Sequence, residues 1–157
     1  MSNQTWETPP EFIAAVERRY GKIGFDLAAS AQNRKAEAFY SEADDALTAP
    51  WDSIATATGH KVKVAWLNPP FADIEPWAKK CAEVRWLPRW TLMLVPASMG
   101  SLWWARNVNP FAQSFGIPRL KFVGAKDPYP KDLALIVYGF GCLPANGYWD
   151  WRKPLGR

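Results

Sequence analysis

Val62-Lys63-Val64-Ala65-Trp66-Leu67-Asn68-Pro69-Pro70-Phe71 is a β-branched and apolar run that stops at a rigid corner. Val62 to Leu67 reads as a strand. It must end at Asn68, because proline lacks a ladder donor and biases the residue before it towards extended backbone. Beyond the corner, Ile74, Trp77, Ala78, Cys81 and Ala82 recur at the spacing of one helix face, leaving Lys79, Lys80 and Glu83 outward. Thr91 to Val95, closed by Pro96, is a continuous apolar run of the kind a strand buried on both faces shows.

On the amino-terminal side, Thr8-Pro9-Pro10-Glu11 has the form of a capping box with proline at the first helical position. Phe12, Ile13, Val16 and Tyr20 follow at helical spacing, which predicts a first helix from about Pro9 to Tyr20. Ile23 to Ala28 reads as a short strand ending in the small residues Ala28-Ala29-Ser30-Ala31, and a second helix is predicted over about Asn33 to Tyr40. Towards the carboxyl terminus, Ser98 to Asn107 reads as helix. Arg119 to Val123 and Leu133 to Phe140 read as strands separated by a turn-rich stretch with Pro128 and Pro130. Strands alternating with helices imply an α/β fold, a mostly parallel sheet with helices on both faces.

The chain has 157 residues, room for a compact single domain (1–157) and little for a second, target-recognising one. Its 48% hydrophobic and 22% charged residues are ordinary globular usage, which disfavours disorder, collagen-like repeats and coiled coils. No stretch is as long and apolar as a membrane span, and the polar, proline-bearing start is unlike a secretory leader, so the expected location is cytoplasmic. One histidine, His60, and two cysteines, Cys81 and Cys142, without CxxC spacing give no basis for a histidine triad, a metal site or a disulfide framework.

Charge is uneven. Residues 1–75 hold 7 Lys+Arg against 11 Asp+Glu, 76–106 hold 5 against 1, and 107–157 hold 7 against 3, so the net +4 joins an acidic first half to a basic second half. In 76–106 the cations Lys79, Lys80, Arg85, Arg89 and Arg106 alternate with Trp77, Trp86, Trp90, Trp103 and Trp104, five of the ten tryptophans. Cations meet phosphates and aromatic faces stack on unpaired bases, so these residues, with Arg119, are the candidate nucleic-acid contacts. Scattered solvated charge and buried tryptophans are the plainer explanation for each of them taken singly.

The corner itself carries chemistry. An exocyclic amine on an aromatic ring is a poor nucleophile because its lone pair is delocalised. The Asn68 side-chain oxygen and the Pro69 carbonyl are two acceptors that can hold its two hydrogens and favour a tetrahedral nitrogen. Pro69 and Pro70 stiffen the loop, and Phe71 can stack on a base flipped out of a duplex. Asn-Pro is also ordinary turn chemistry.

At these residues the chain resembles the phage-type DNA N6-adenine methyltransferases, small enzymes that use S-adenosylmethionine. The resemblance covers most of the chain. It runs through Trp6-Glu7-Thr8-Pro9, Phe25-Asp26-Leu27-Ala28-Ala29-Ser30, Asp45-Ala46-Leu47 followed by Trp51, Trp66-Leu67-Asn68-Pro69-Pro70-Phe71, Leu94-Val95-Pro96-Ala97 and Arg119-Leu120-Lys121-Phe122. It implies a Rossmann-like methyltransferase fold, DNA as partner, and a catalytic loop of Asn68, Pro69, Pro70 and Phe71. It also implies a donor site made by Asp26, Leu27, Ala28, Ala29 and Ser30, by Asp45, and by Thr8 and Pro9 as the amino-terminal wall. Many methyltransferases place glycines after the first strand, and Ala28 to Ala31 has none. A methyltransferase acting on cytosine N4, RNA or a protein glutamine, and a nonenzymatic DNA-binding protein on a decayed methyltransferase fold, are the alternative readings.

Overall fold

The structure is a computed structural model and describes residues 6–155. Among these residues three α-helices, α1 (Pro10–Tyr20), α2 (Glu75–Glu83) and α3 (Leu102–Asn107), cover one six-stranded sheet. The strands are β1 (Phe25–Asp26), β2 (Val64–Leu67), β3 (Trp90–Pro96), β4 (Gln113–Ile117), β5 (Leu133–Tyr138) and β6 (Ala145–Tyr148), and their order across the sheet is β1-β2-β3-β5-β4-β6.

Alternation along the central strands divides their side chains between two cores. Val64, Trp66, Leu92, Leu94, Leu135 and Val137 face α1, where Phe12, Ile13, Ala15 and Val16 meet them. Ala65, Leu67, Met93, Val95, Ala134 and Ile136 face the other way, against Ala78, Cys81 and Ala82 of α2 and Trp104 of α3. Helices therefore lie on both faces, as the sequence predicts.

The sheet is mixed: β1, β2, β3, β4 and β6 share one direction, and β5 alone runs against them. β1, β2 and β3 are parallel, β5 is antiparallel to both β3 and β4, and β6 runs parallel to β4. The cause lies in the connections. β2 reaches β3 through the α2 crossover, which sets the two parallel. Residues 118–132 contain no helix and return the chain directly alongside β4, which sets β5 antiparallel.

Two predicted elements are absent and one is shortened. Residues 33–40 are bends and an extended bridge: Asp26 N–H donates to Ala38 O at 3.0 Å and Tyr40 N–H to Asp26 O at 2.9 Å, so this segment borders β1 and is not helical. The helix predicted from Ser98 begins only at Leu102, where the Ser101 hydroxyl accepts from Trp104 N–H at 3.3 Å. Residues 119–123 keep the alternation of a strand, with Leu120 and Phe122 buried and their neighbours exposed, but they pair with no strand. Among the described residues no helix is long and apolar enough to cross a membrane.

Candidate active site

Parallel pairing brings two strand ends together. Asp26 closes β1 beside Trp66 of β2, and Asn68 follows the last residue of β2, so both lie at the carboxyl edge where open α/β sheets place ligands. A cavity of about 830 Å³ opens there. Asp26, Leu27, Ala28, Ala29 and Ser30 line it from β1, Trp6 to Thr8 from the amino-terminal segment, and Glu42, Asp45 and Ala46 from the far wall, with Asn68 and Pro70 at the corner. Nine of the twelve residues predicted for the corner and the donor site are thus brought together. Pro9 and Pro69 are buried beside the cavity without lining it, and Phe71 turns to an aromatic cluster.

The small-residue loop needs no glycine. None of residues 27–33 takes a positive φ. The loop is held by side-chain and backbone bonds instead: Ser30 N–H donates to Asn33 Oδ1 at 2.8 Å, Asn33 N–H to Ser30 Oγ at 3.2 Å and Ala29 N–H to Tyr40 O at 2.9 Å. Asp45, opposite, is the one non-glycine residue with positive φ (51°) among the described residues, at the end of the 3-10 turn Glu42–Asp44.

The cavity's charges are four carboxylates, Glu7, Asp26, Glu42 and Asp45, and one ammonium, Lys35. Asp26 is 2% exposed, and its oxygens accept from Lys35 N–H at 2.9 Å and Ala28 N–H at 3.2 Å. Burial still wins: desolvation pushes this carboxyl up to about 7, against the hydrogen bonds and the Lys35 charge, which pull it down. The Lys35 ammonium itself pairs with Glu7 Oε2 at 3.2 Å.

Asn68 is fixed by two acceptors. Its Nδ2 donates to Trp6 O at 2.5 Å and to Thr8 Oγ1 at 3.1 Å. Thr8, predicted as a helix cap, makes no cap bond; the N-cap is Pro9, and the Thr8 hydroxyl is turned to the corner. Beside it Phe71 stands edge-on to Tyr129 at 5.6 Å and to Phe122 at 6.3 Å, and Trp6 closes on the same two rings at 5.7 Å each. The half-buried rings of Trp6, Phe71 and Tyr129, backed by the buried Phe122, make an aromatic wall next to the corner's acceptors.

The predicted nucleic-acid cations differ in their partners. Lys80 Nζ donates to the carbonyls of Ala46, Leu47 and Ala49, and burial lowers its pKa. Arg89 donates to Trp51 O and is likewise desolvated. Arg85 bonds Ala82 O at 2.6 Å and stacks on Phe111 at 4.0 Å. Arg106 pairs with Glu75 and Arg119 with Asp132, both at the surface, and Lys79 is exposed on α2. The charge pattern gave no sign that Lys80 and Arg89 serve backbone carbonyls of 46–51. Nor did the sequence single out Lys35, Glu42 or Tyr129, which come to the site from segments without periodic pattern.

A model of the family described as DNA N-6-adenine-methyltransferase (Dam) matches residues 1–133. A protein of Escherichia phage T1 named DNA N-6-adenine-methyltransferase is 38% identical to the chain over 98 residues, 62% of this chain. Those residues span 38% of the phage protein's length.

Proposed function

Because the chain belongs to the DNA N-6-adenine-methyltransferase (Dam) family, we propose that it methylates N6 of a flipped adenine in DNA, with S-adenosylmethionine as donor. The observation that carries this is the Asn68 amide, tied by its nitrogen end at the rim of an acid-lined cavity where β1 and β2 end.

The cavity suits the donor in size and charge. About 830 Å³ is within the range of ~300–1,000 Å³ typical of small-molecule sites. The donor bears a sulfonium, an ammonium and a carboxylate, and the lining offers several carboxylates and one lysine, Lys35. When bound, the donor supplies a methyl group made electrophilic by a positively charged sulfur. Asn68 Oδ1 and the Pro69 carbonyl accept the two N6 hydrogens, and Phe71 and Tyr129 offer ring surface to the base. The N6 lone pair would take the methyl carbon, the C–S electron pair leaving on sulfur, and N6 would then give one proton to solvent. Acceptors aimed at a nitrogen gaining positive charge lower the barrier electrostatically. No general base is needed. The same domain would hold donor and target, in the cytoplasm where host DNA lies.

Transfer of a labelled methyl group to unmethylated DNA tests the reading, with RNA and protein as parallel acceptors. Asn68→Ala should lower kcat by about 10²–10³, the cost of removing one preorganised group at the reacting atom, with unchanged far-UV dichroism and donor affinity. Label in cytosine N4, RNA or glutamine would replace the adenine assignment, and an Asn68→Ala protein as fast as the parent would end the catalytic one.

A further inference from the structure

A carboxamide has two ends of nearly equal size and opposite hydrogen-bonding character. For Asn68 to accept from an amine, its oxygen must face the amine and its nitrogen must face the protein; the reverse orientation sets donor against donor. The two groups that touch the Asn68 side chain decide this. The Trp6 carbonyl, 2.5 Å from Nδ2, can only accept, and the buried Thr8 hydroxyl, 1% exposed, offers its oxygen 3.1 Å from Nδ2.

We infer that Thr8 is a positioning residue for Asn68, its hydroxyl joining the Trp6 carbonyl in holding both amide hydrogens so that Oδ1 faces the target amine. This rests on the methyl-transfer reading. The two acceptors are themselves anchored on either side. Val123 N–H donates to Glu7 O at 3.0 Å, the Glu7 carboxylate pairs with Lys35, and the Trp6 ring is packed on Phe122 and Tyr129. Trp6-Glu7-Thr8 therefore joins the donor cavity, the aromatic wall and the amide of Asn68, and the part of Thr8 in this is local and separable.

Thr8→Val keeps the shape and removes the acceptor, whereas Thr8→Ser keeps the hydroxyl. The expected result is a kcat about tenfold lower in Thr8→Val, the size of one lost hydrogen bond, with KM for DNA and donor Kd within about twofold of the parent. Thr8→Ser should return kcat to within about twofold. An unchanged kcat in Thr8→Val, a change in donor Kd alone, or a Thr8→Ser protein as slow as Thr8→Val would overturn the inference.

A second variant guards against Thr8→Val failing to fold. Asn68→Asp sets an oxygen against the Trp6 carbonyl, and only the protonated acid can donate to it. At saturating donor and DNA, the ratio of Asn68→Asp to parent kcat should therefore rise as pH falls from about 8 to 6. Glu7, Asp26, Lys35, Glu42 and Asp45 line the cavity in both proteins and cancel in that ratio. A flat ratio rejects the orienting contacts. A parent without methyl transfer rejects the proposed function itself, which separates the two failures.

Discussion

Asp26 shows how the site sets one side chain's chemistry. Its carboxyl, pushed up to about 7 by burial, keeps its proton in the native protein across a range where the unfolded chain, near 4, has lost it. The native state binds more protons there, so stability falls as pH rises from about 4 to 7, by roughly 4 kcal/mol at most from this group. Urea unfolding at half-unit steps of pH measures that slope, and Asp26→Asn should flatten it. A cationic donor favours the ionised form, so donor affinity should weaken as pH drops below about 7, approaching tenfold per unit. Calorimetric titration between pH 5.5 and 8 checks this, and equal slopes for the parent and Asp26→Asn would remove Asp26 from the donor site. That a carboxylate at a strand end beside apolar residues would need partners was readable from the sequence. Which partners was not, because both are backbone N–H groups, Ala28 and Lys35, in a loop with no pattern.

Among the elements, those with their own periodicity were legible: α1, α2, β2, β3 and β5 lie within a few residues of their predicted places. Residues 33–40 contain good helix formers, yet their backbone groups are taken by β1 and by the Asp26 carboxylate, a tertiary demand that propensity does not register. β4 escaped because Ser114 and Gly116 interrupt its apolar pattern; the gap at Gly116 is filled by Tyr148 from β6, whose ring lies 3.7 Å from where a Cβ would stand. The basic face of α2 was legible as charge, but not the partners of Lys80, which spans from α2 to three carbonyls of 46–49 and sits 5.2 Å over the Trp51 ring. Lys80→Met keeps the stem and removes those bonds. It should cost about 2 kcal/mol of stability and weaken donor binding through the loosened Asp45 wall. The slope of log K for DNA against log salt should stay as in the parent, whereas losing a phosphate-bound lysine lowers it by about one. A shallower slope with unchanged donor affinity would put Lys80 on the DNA after all.

Across the whole molecule, the matched family region and the cooperative core have different extents. The match ends at residue 133, where β5 begins, yet β5 pairs with both β3 and β4 in the middle of the sheet. Beyond it, β6 lines up along β4, and Trp149 N–H donates to Gly116 O at 2.9 Å. The Trp149 ring, 8% exposed, then closes over α1: it lies 6.0 Å from the Phe12 ring, 6.5 Å from Tyr20 and 4.8 Å from the Arg19 guanidinium. Phe12 in turn meets Trp66, which also lines the cavity. The carboxyl-terminal segment thus holds α1 on the sheet, and none of residues 134–155 lines the cavity. Trp149→Ala opens a large void in that packing and should lower stability by about 3–5 kcal/mol, read as a shifted urea midpoint with an unchanged slope. At a temperature where the variant remains folded, its kcat and donor Kd should match the parent. A fall in kcat without loss of stability would mean that residues 134–155 act on the site directly, and an unchanged midpoint would mean that α1 is held by the sheet alone.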